Sequence, residues 1–218
     1  MKIVRMPRGP KTLVFDIDLT LYDNRAYYSA QAPLLLEKLA AHLRTSTTAA
    51  EGEVRRIREA YARAHHGRTL SLGNAFLQLG IPIATSVRWR EELFHPEAYL
   101  EPDEALQATL HELSRSFRLA AVTNNPTSVG ERTLVALGVR EYFAPVIGLD
   151  IAGESKPTMV PFTMIAAQHQ VSLKEMVSIG DRMAVDIEVP VQNGMGGILV
   201  EHVADVYRLP EILKNGGN

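Results

Sequence analysis

Two aspartates stand two residues apart in "FDIDLTLYD" (15–23), at the end of a short apolar run, with Thr20 two residues beyond the second. Carboxylates at a strand end are solvated by a loop, hold a cation or do chemistry. Further reactive side chains occur along the chain: Thr123 and Asn124 in "AAVTNN", Lys156 in "GESKPT", and Asp181 with Asp186 in "VSIGDRMAVD". Together these residue types suit one reaction. A carboxylate attacks a phosphoryl group when a divalent cation and a fixed ammonium neutralise the charges that otherwise repel it. Asp16 and Asp181 offer hard oxygen ligands, Lys156 the ammonium, and Thr123 a hydroxyl for a phosphate oxygen, which leaves Asp18 free to move protons.

Those side chains meet only if the chain folds to bring them to one edge. Residues 12–18 read as a buried parallel strand with both aspartates at its carboxyl end. From there to about residue 100 the apolar spacing is helical, with helices over 25–43, 49–66, 72–80 and 85–95. Strands then return between single helices: helix 100–116, with Asp103 near its start; strand 117–125; helix 128–138, stopped by Gly138; a strand over 145–149. Helix 159–170, with Pro161 in its first turn, strand 175–181, helix 182–194 and strand 196–201 complete the pattern. Such alternation predicts an α/β, Rossmann-like three-layer core with a parallel sheet and an inserted all-helical domain. The divisions are 1–23 (core), 24–98 (helical insertion) and 99–218 (core). In that architecture the strand ends open on one crevice, where Asp16, Asp18, Thr123, Asn124 and Asp181 would gather.

Composition narrows the function. The chain has 218 residues, 46% hydrophobic and 22% charged, with a net charge of −2. That balance argues against binding a nucleic-acid polymer, so any phosphate handled is small. The absence of cysteine excludes disulfides, thiolate catalysis and thiolate metal sites, so a metal would be held by oxygen or imidazole. Arg5, Pro7, Arg8, Gly9 and Pro10 interrupt the start where a signal peptide needs an apolar run, and no segment reaches the ~20 apolar residues of a membrane span. A cytoplasmic protein that does not engage membranes is the expectation.

In "DIDLT", "VTNN", the lysine of "SKP" and "GDRMAVD", taken in that order, the sequence resembles the haloacid dehalogenase superfamily in its phosphatase branch, with a helical cap inserted after the first motif. The resemblance covers roughly residues 10–24 and 98–213. It implies a magnesium-dependent phosphomonoesterase that hydrolyses a small phosphorylated metabolite through an aspartyl-phosphate. Asp16 would be nucleophile and metal ligand; Asp18 would be general acid and base, with its backbone carbonyl on the metal. Thr123 and backbone N–H groups including that of Asn124 would bind the phosphate, and Lys156 would brace phosphate and Asp16. Asp181 would coordinate the metal, Asp186 would act through water or by orienting its neighbours, and Thr20 would fix the turn after Asp18. An acid at position 18 separates this pattern from the dehalogenases and the phosphonatases, which lack one there. Many members carry Gly where this chain has Leu19.

Two other readings share these residues: a phosphoglucomutase-type transfer, and a non-catalytic phospho-aspartate switch like a response-regulator receiver. In receivers, however, the paired acids precede the phosphorylated aspartate by two strands, and nothing corresponds to the helical insertion. Within that insertion a His pair can bind metal or protons and Arg with Trp can recognise a flat or anionic group, but the favoured reading of His65, His66, Arg68, Arg88 and Arg90 is a solvated helix face, with Trp89 in the core of the insertion.

Overall fold

The structure, a computed structural model, describes residues 1–215. Six strands form one sheet: β1 (Lys2–Arg5), β2 (Thr12–Phe15), β3 (Arg118–Val122), β4 (Phe143–Ile147), β5 (Met176–Gly180) and β6 (Gly196–Leu199). Their spatial order is β1-β6-β5-β2-β3-β4, and β2 to β6 run parallel. Phe15 pairs with Ala121 on one side and Ile179 on the other, so the carboxyl ends of β2, β3 and β5 come to one level. All of "TLVF" is buried because both faces of the sheet are covered. Leu13 and Phe15 point into one core cluster and Val14 into the other, as a strand's period of two requires.

β1 departs from the all-parallel expectation. It pairs antiparallel with β6 at the sheet edge and is largely exposed, so "KIVR" carries no continuous apolar signal.

Between β2 and α5 (Glu104–Ser114) the chain is helical throughout its regular elements: α1 (Arg25–Leu43), α2 (Thr47–Ala64), α3 (Leu72–Gln78), α4 (Ile83–Leu93) and a short 3-10 turn. The side chains of Asn24, Ser46 and Ser71 accept the backbone N–H of Tyr27, Ala49 and Asn74, capping the first three helices. Each such cap is worth about 1 kcal/mol. These helices bury Leu39, Val54, Phe76 and Trp89 in a cluster that also takes in Phe94, just past α4, and Val129 of α6 (Thr127–Ala136), which joins the block to the sheet side.

α6 ends before Gly138, whose φ of +71° lets the chain reverse. α7 (Leu149–Ala152) and α8 (Val160–His169) follow, the latter with Pro161 in its first turn. The single helix expected over 182–194 is two pieces: a π-turn, Met183–Ile187, and α9 (Glu188–Gln192). The short helices α10 (Val203–Val206) and α11 (Leu209–Asn215) complete the order. Among the described residues no helix is long and apolar enough to cross a membrane.

Candidate active site

Asp16 is the first residue beyond β2 and extends the ladder by donating its N–H to the Ile179 carbonyl at 2.8 Å. The chain then turns at once, with the N–H of Leu21 on the Ile17 carbonyl at 3.0 Å. Leu19 adopts φ +56°, a left-handed conformation that costs a residue with a side chain on the order of 1 kcal/mol. Its side chain packs on the sheet cluster, which offsets part of that cost. The glycine common here in the resembling family would avoid it. Thr20 is buried in the turn, with its hydroxyl 3.5 Å from Asp16 Oδ2.

Lys156 reaches this point from the loop before α8. Its buried ammonium uses all three donors: Asp16 Oδ1 at 2.6 Å, Asp186 Oδ1 at 2.7 Å and the Val122 carbonyl at 3.2 Å. Asn124 holds the lysine's backbone at two points, accepting its N–H at 2.7 Å and donating to its carbonyl at 3.4 Å.

Asp16, Asp181 and Asp186 each offer an oxygen, and these oxygens all lie within 4.8 Å of one another. The π-turn sets Asp186 directly against Gly180, where an added Cβ would lie 2.5 Å from the Asp186 Cβ. Asp186 Oδ2 also accepts the backbone N–H of Arg182 at 3.1 Å. Asp181 Oδ1 is buried without a hydrogen-bond partner, 3.4 Å from Arg182 Nε. Arg182 leans over the cluster, 3.5 Å from Asp186 and 3.8 Å from Asp16 Oδ2.

Three carboxylates therefore share two cations. Burial pushes the Asp16 carboxyl well above the usual range, Asp186 adds repulsion, and Lys156 and Arg182 offset only part of this. Burial also raises Asp181 against the pull of Arg182. Burial alone would lower the Lys156 ammonium, but Asp16 and Asp186 outweigh it and hold it above its usual value. The surplus of negative charge and the orphaned Asp181 oxygen suit a hard cation.

Asp18 lies beside this cluster but outside it. Its Oδ1 accepts from the Tyr22 hydroxyl at 2.6 Å; its Oδ2 accepts from Asn125 Nδ2 at 3.0 Å and faces the Thr123 hydroxyl at 3.4 Å. Burial and the charge of Asp18 push the Tyr22 phenol far up, so it stays protonated and donating. A cavity of about 750 Å³ opens onto Asp18, Asn124, Lys156 and Arg182 on one side and onto the helical block on the other.

The profile of the haloacid dehalogenase-like hydrolases matches residues 10–194. The chain belongs to that family. The hydrolase is 29% identical over 181 residues to the phosphoglycolate phosphatase of Vibrio parahaemolyticus, covering 78% of this chain and 75% of that protein. It is 25% identical over 202 residues to the 5-amino-6-(5-phospho-D-ribitylamino)uracil phosphatase YigB of Escherichia coli, covering 84% and 80%. In fold it is similar to a HAD phosphatase from Thermococcus onnurineus, with a TM-score of 0.63 at 22% identity over 93% of this chain and 97% of that one.

All eight site residues expected from the sequence of this hydrolase lie around one point, with Thr20 and Asn124 acting on Asp16 and Lys156 through hydrogen bonds. Asp186 stands nearer the centre than expected, bonded to Lys156 directly. Sequence reasoning passed over Tyr22, Asn125 and Arg182. Tyr22 follows Asp18 by four residues and Asn125 adjoins a motif residue, so both were visible as neighbours; the reach of Arg182 into the cluster was not. In the helical block His65, His66, Arg68 and Arg88 are exposed and Trp89 is buried, as expected. Arg90 is the correction: it is 5% exposed rather than solvated, because the helix turns it inward with Ser86 and Trp89.

Gly180→Ala is expected to destabilise the hydrolase by roughly 1–3 kcal/mol, since the new methyl overlaps Asp186. Thermal unfolding checks this; an unchanged midpoint would mean that Asp186 yields freely.

Proposed function

We propose that this hydrolase is a magnesium-dependent phosphomonoesterase acting on a small phosphorylated metabolite through an aspartyl-phosphate at Asp16. The observation that carries the reading is the pairing of Lys156 with both Asp16 and Asp186, beside an Asp18 that is held separately and faces the cavity. The phosphatase names of the relatives support it.

Asp16, Asp181 and Asp186, with the backbone carbonyl of Asp18, are the groups to hold magnesium. When bound, the ion neutralises charge on the phosphoryl oxygens. Asp16 attacks phosphorus, and its P–O bond forms as the ester P–O bond breaks. Asp18 gives its proton to the departing oxygen. A water then attacks phosphorus, its proton passing to Asp18, and Asp16 leaves as a carboxylate with release of inorganic phosphate. Tyr22 and Asn125 hold Asp18 in one orientation through both halves. Lys156 keeps Asp16 Oδ1 in place, and Thr123 and the N–H of Asn124 receive the transferring group. The helical block acts as a cap that limits water during transfer.

Phosphate release from a broad panel of phosphomonoesters, with magnesium and with chelator, tests this reading. Release that requires magnesium is expected; no release from any compound would sink it. Magnesium at a hundredfold excess over its Kd is also expected to stabilise the fold by about 2.7 kcal/mol. That corresponds to roughly 5–10 °C in Tm for a chain of this size, and an unmoved Tm would mean that the carboxylates do not hold the ion.

A further inference from the structure

Arg90 is the buried charge that the chemistry above leaves unused. It projects from α4, is 5% exposed, and lines the cavity that contains Asp18 and Lys156. Among the described residues no carboxylate lies within ion-pair distance of it. Its hydrogen bonds are local: Nη1 donates to the carbonyl of Ser86 at 3.1 Å and to the Ser86 hydroxyl, one turn back on the same helix. Nε and Nη2 make no hydrogen bond to the described residues. Burial lowers the guanidinium to about 10, and Asp18 is the charge that partly restores it. It thus remains a cation at neutral pH.

A buried, unpaired cation opposes folding unless something compensates it. Buried arginines without a carboxylate are therefore costly, and the fork of a guanidinium matches a planar or tetrahedral oxyanion. Gly73 lies between the guanidinium and the loop of Lys156. A Cβ there would lie 3.6 Å from Arg90 Nη2 and 3.1 Å from the hydroxyl of Ser155, the residue before Lys156. The guanidinium therefore comes down to the loop that carries the ammonium on Asp16, close to where a transferring phosphate would sit.

We propose that Arg90 receives a second oxyanion of the substrate, so that this hydrolase acts on compact phosphate esters bearing a carboxylate or second phosphate a few atoms from the reacting phosphorus. This rests on the phosphatase reading. The substrate's second anion supplies the counter-charge that the fold leaves out, and a neutral isostere leaves Arg90 uncompensated. Selectivity arises from the same residue that costs stability in the free protein.

The test compares kcat/KM for phosphoglycolate, its carboxamide and ethylene glycol bisphosphate in wild type, Arg90→Lys and Arg90→Met, with calorimetric binding of phosphonoacetate alongside. Wild type is expected to prefer an ester with a second anionic group over the amide by at least ~10-fold, the worth of a charged hydrogen-bonded contact. Which of the two anionic esters leads identifies the oxyanion. Arg90→Lys should keep part of the preference, and Arg90→Met should bring the ratio near unity with an unchanged or higher Tm. A purely structural arginine would instead lower Tm and leave the ratio alone. Equal use of ester and amide by wild type overturns the proposal whatever the variants do, as does a ratio that survives in Arg90→Met. If no ester turns over, the phosphatase reading fails by itself. Phosphonoacetate binding that is lost in a folded Arg90→Met would still establish the anion site, and binding that persists would refute it.

Discussion

Asp16→Asn is expected to lower phosphate release on the order of 10⁴-fold or more, with the fold intact. The size follows from removing a residue on which every step of the proposed reaction depends, which in catalytic constellations costs about as much as removing the whole set. The amide has nearly the same shape and can still accept from Lys156 through Oδ1, but it is no nucleophile. The fold should tolerate the exchange because the carboxylate is not well compensated: burial and Asp186 raise it, and Lys156 and Arg182 restrain it only in part. Removing one of three crowded carboxylates relieves repulsion, so Tm in chelator should hold or rise. Steady-state assays with circular dichroism check both halves. Wild-type activity in the variant would remove Asp16 from the chemistry.

Lys156→Met is expected to do comparable damage to activity and much more to stability. Its ammonium joins two carboxylates that are both almost fully buried, and removing one partner of a buried pair costs about 3–5 kcal/mol. Against a total of roughly 5–15 kcal/mol for a domain, that is a large share. Arg182 cannot take over, since it approaches from the other carboxylate oxygens, Oδ2 of Asp16 and Oδ2 of Asp186. Denaturant unfolding measures the loss. A variant within about 1 kcal/mol of wild type would mean that water already screens the pair, contrary to its burial.

The site was legible because its residues follow apolar runs that can only be buried strands. "TLVF" before Asp16 and "MVSIG" before Asp181 leave little choice about where those acids emerge. Helix spacing likewise gave α1 at its observed bounds, 25–43. What stayed hidden depends on contacts between distant residues. Nothing local to "KIVR" says that it closes the sheet edge against β6. Whether "RMAVDIEVPVQ" forms one helix or a π-turn and a helix depends on seating Asp186 against Gly180. Arg90 is the sharpest case. A charge on a helix reads as solvated, and only the packing of α4 against the rest of the block shows which arginine turns inward: Arg88 is exposed and Arg90 is not.

The proposed reaction requires a covalent bond from Asp16 to phosphorus, and chemical trapping tests that bond directly. Asp18→Asn is mixed with p-nitrophenyl phosphate, whose leaving group departs without protonation while the hydrolytic step is slowed. The mixture is quenched into borohydride, which reduces an acyl phosphate to an alcohol, and peptides are read by mass spectrometry. The expected result is homoserine at position 16 and at no other acid. Nitrophenolate released with Asp16 unmodified would contradict attack by Asp16, and would point to direct attack by water.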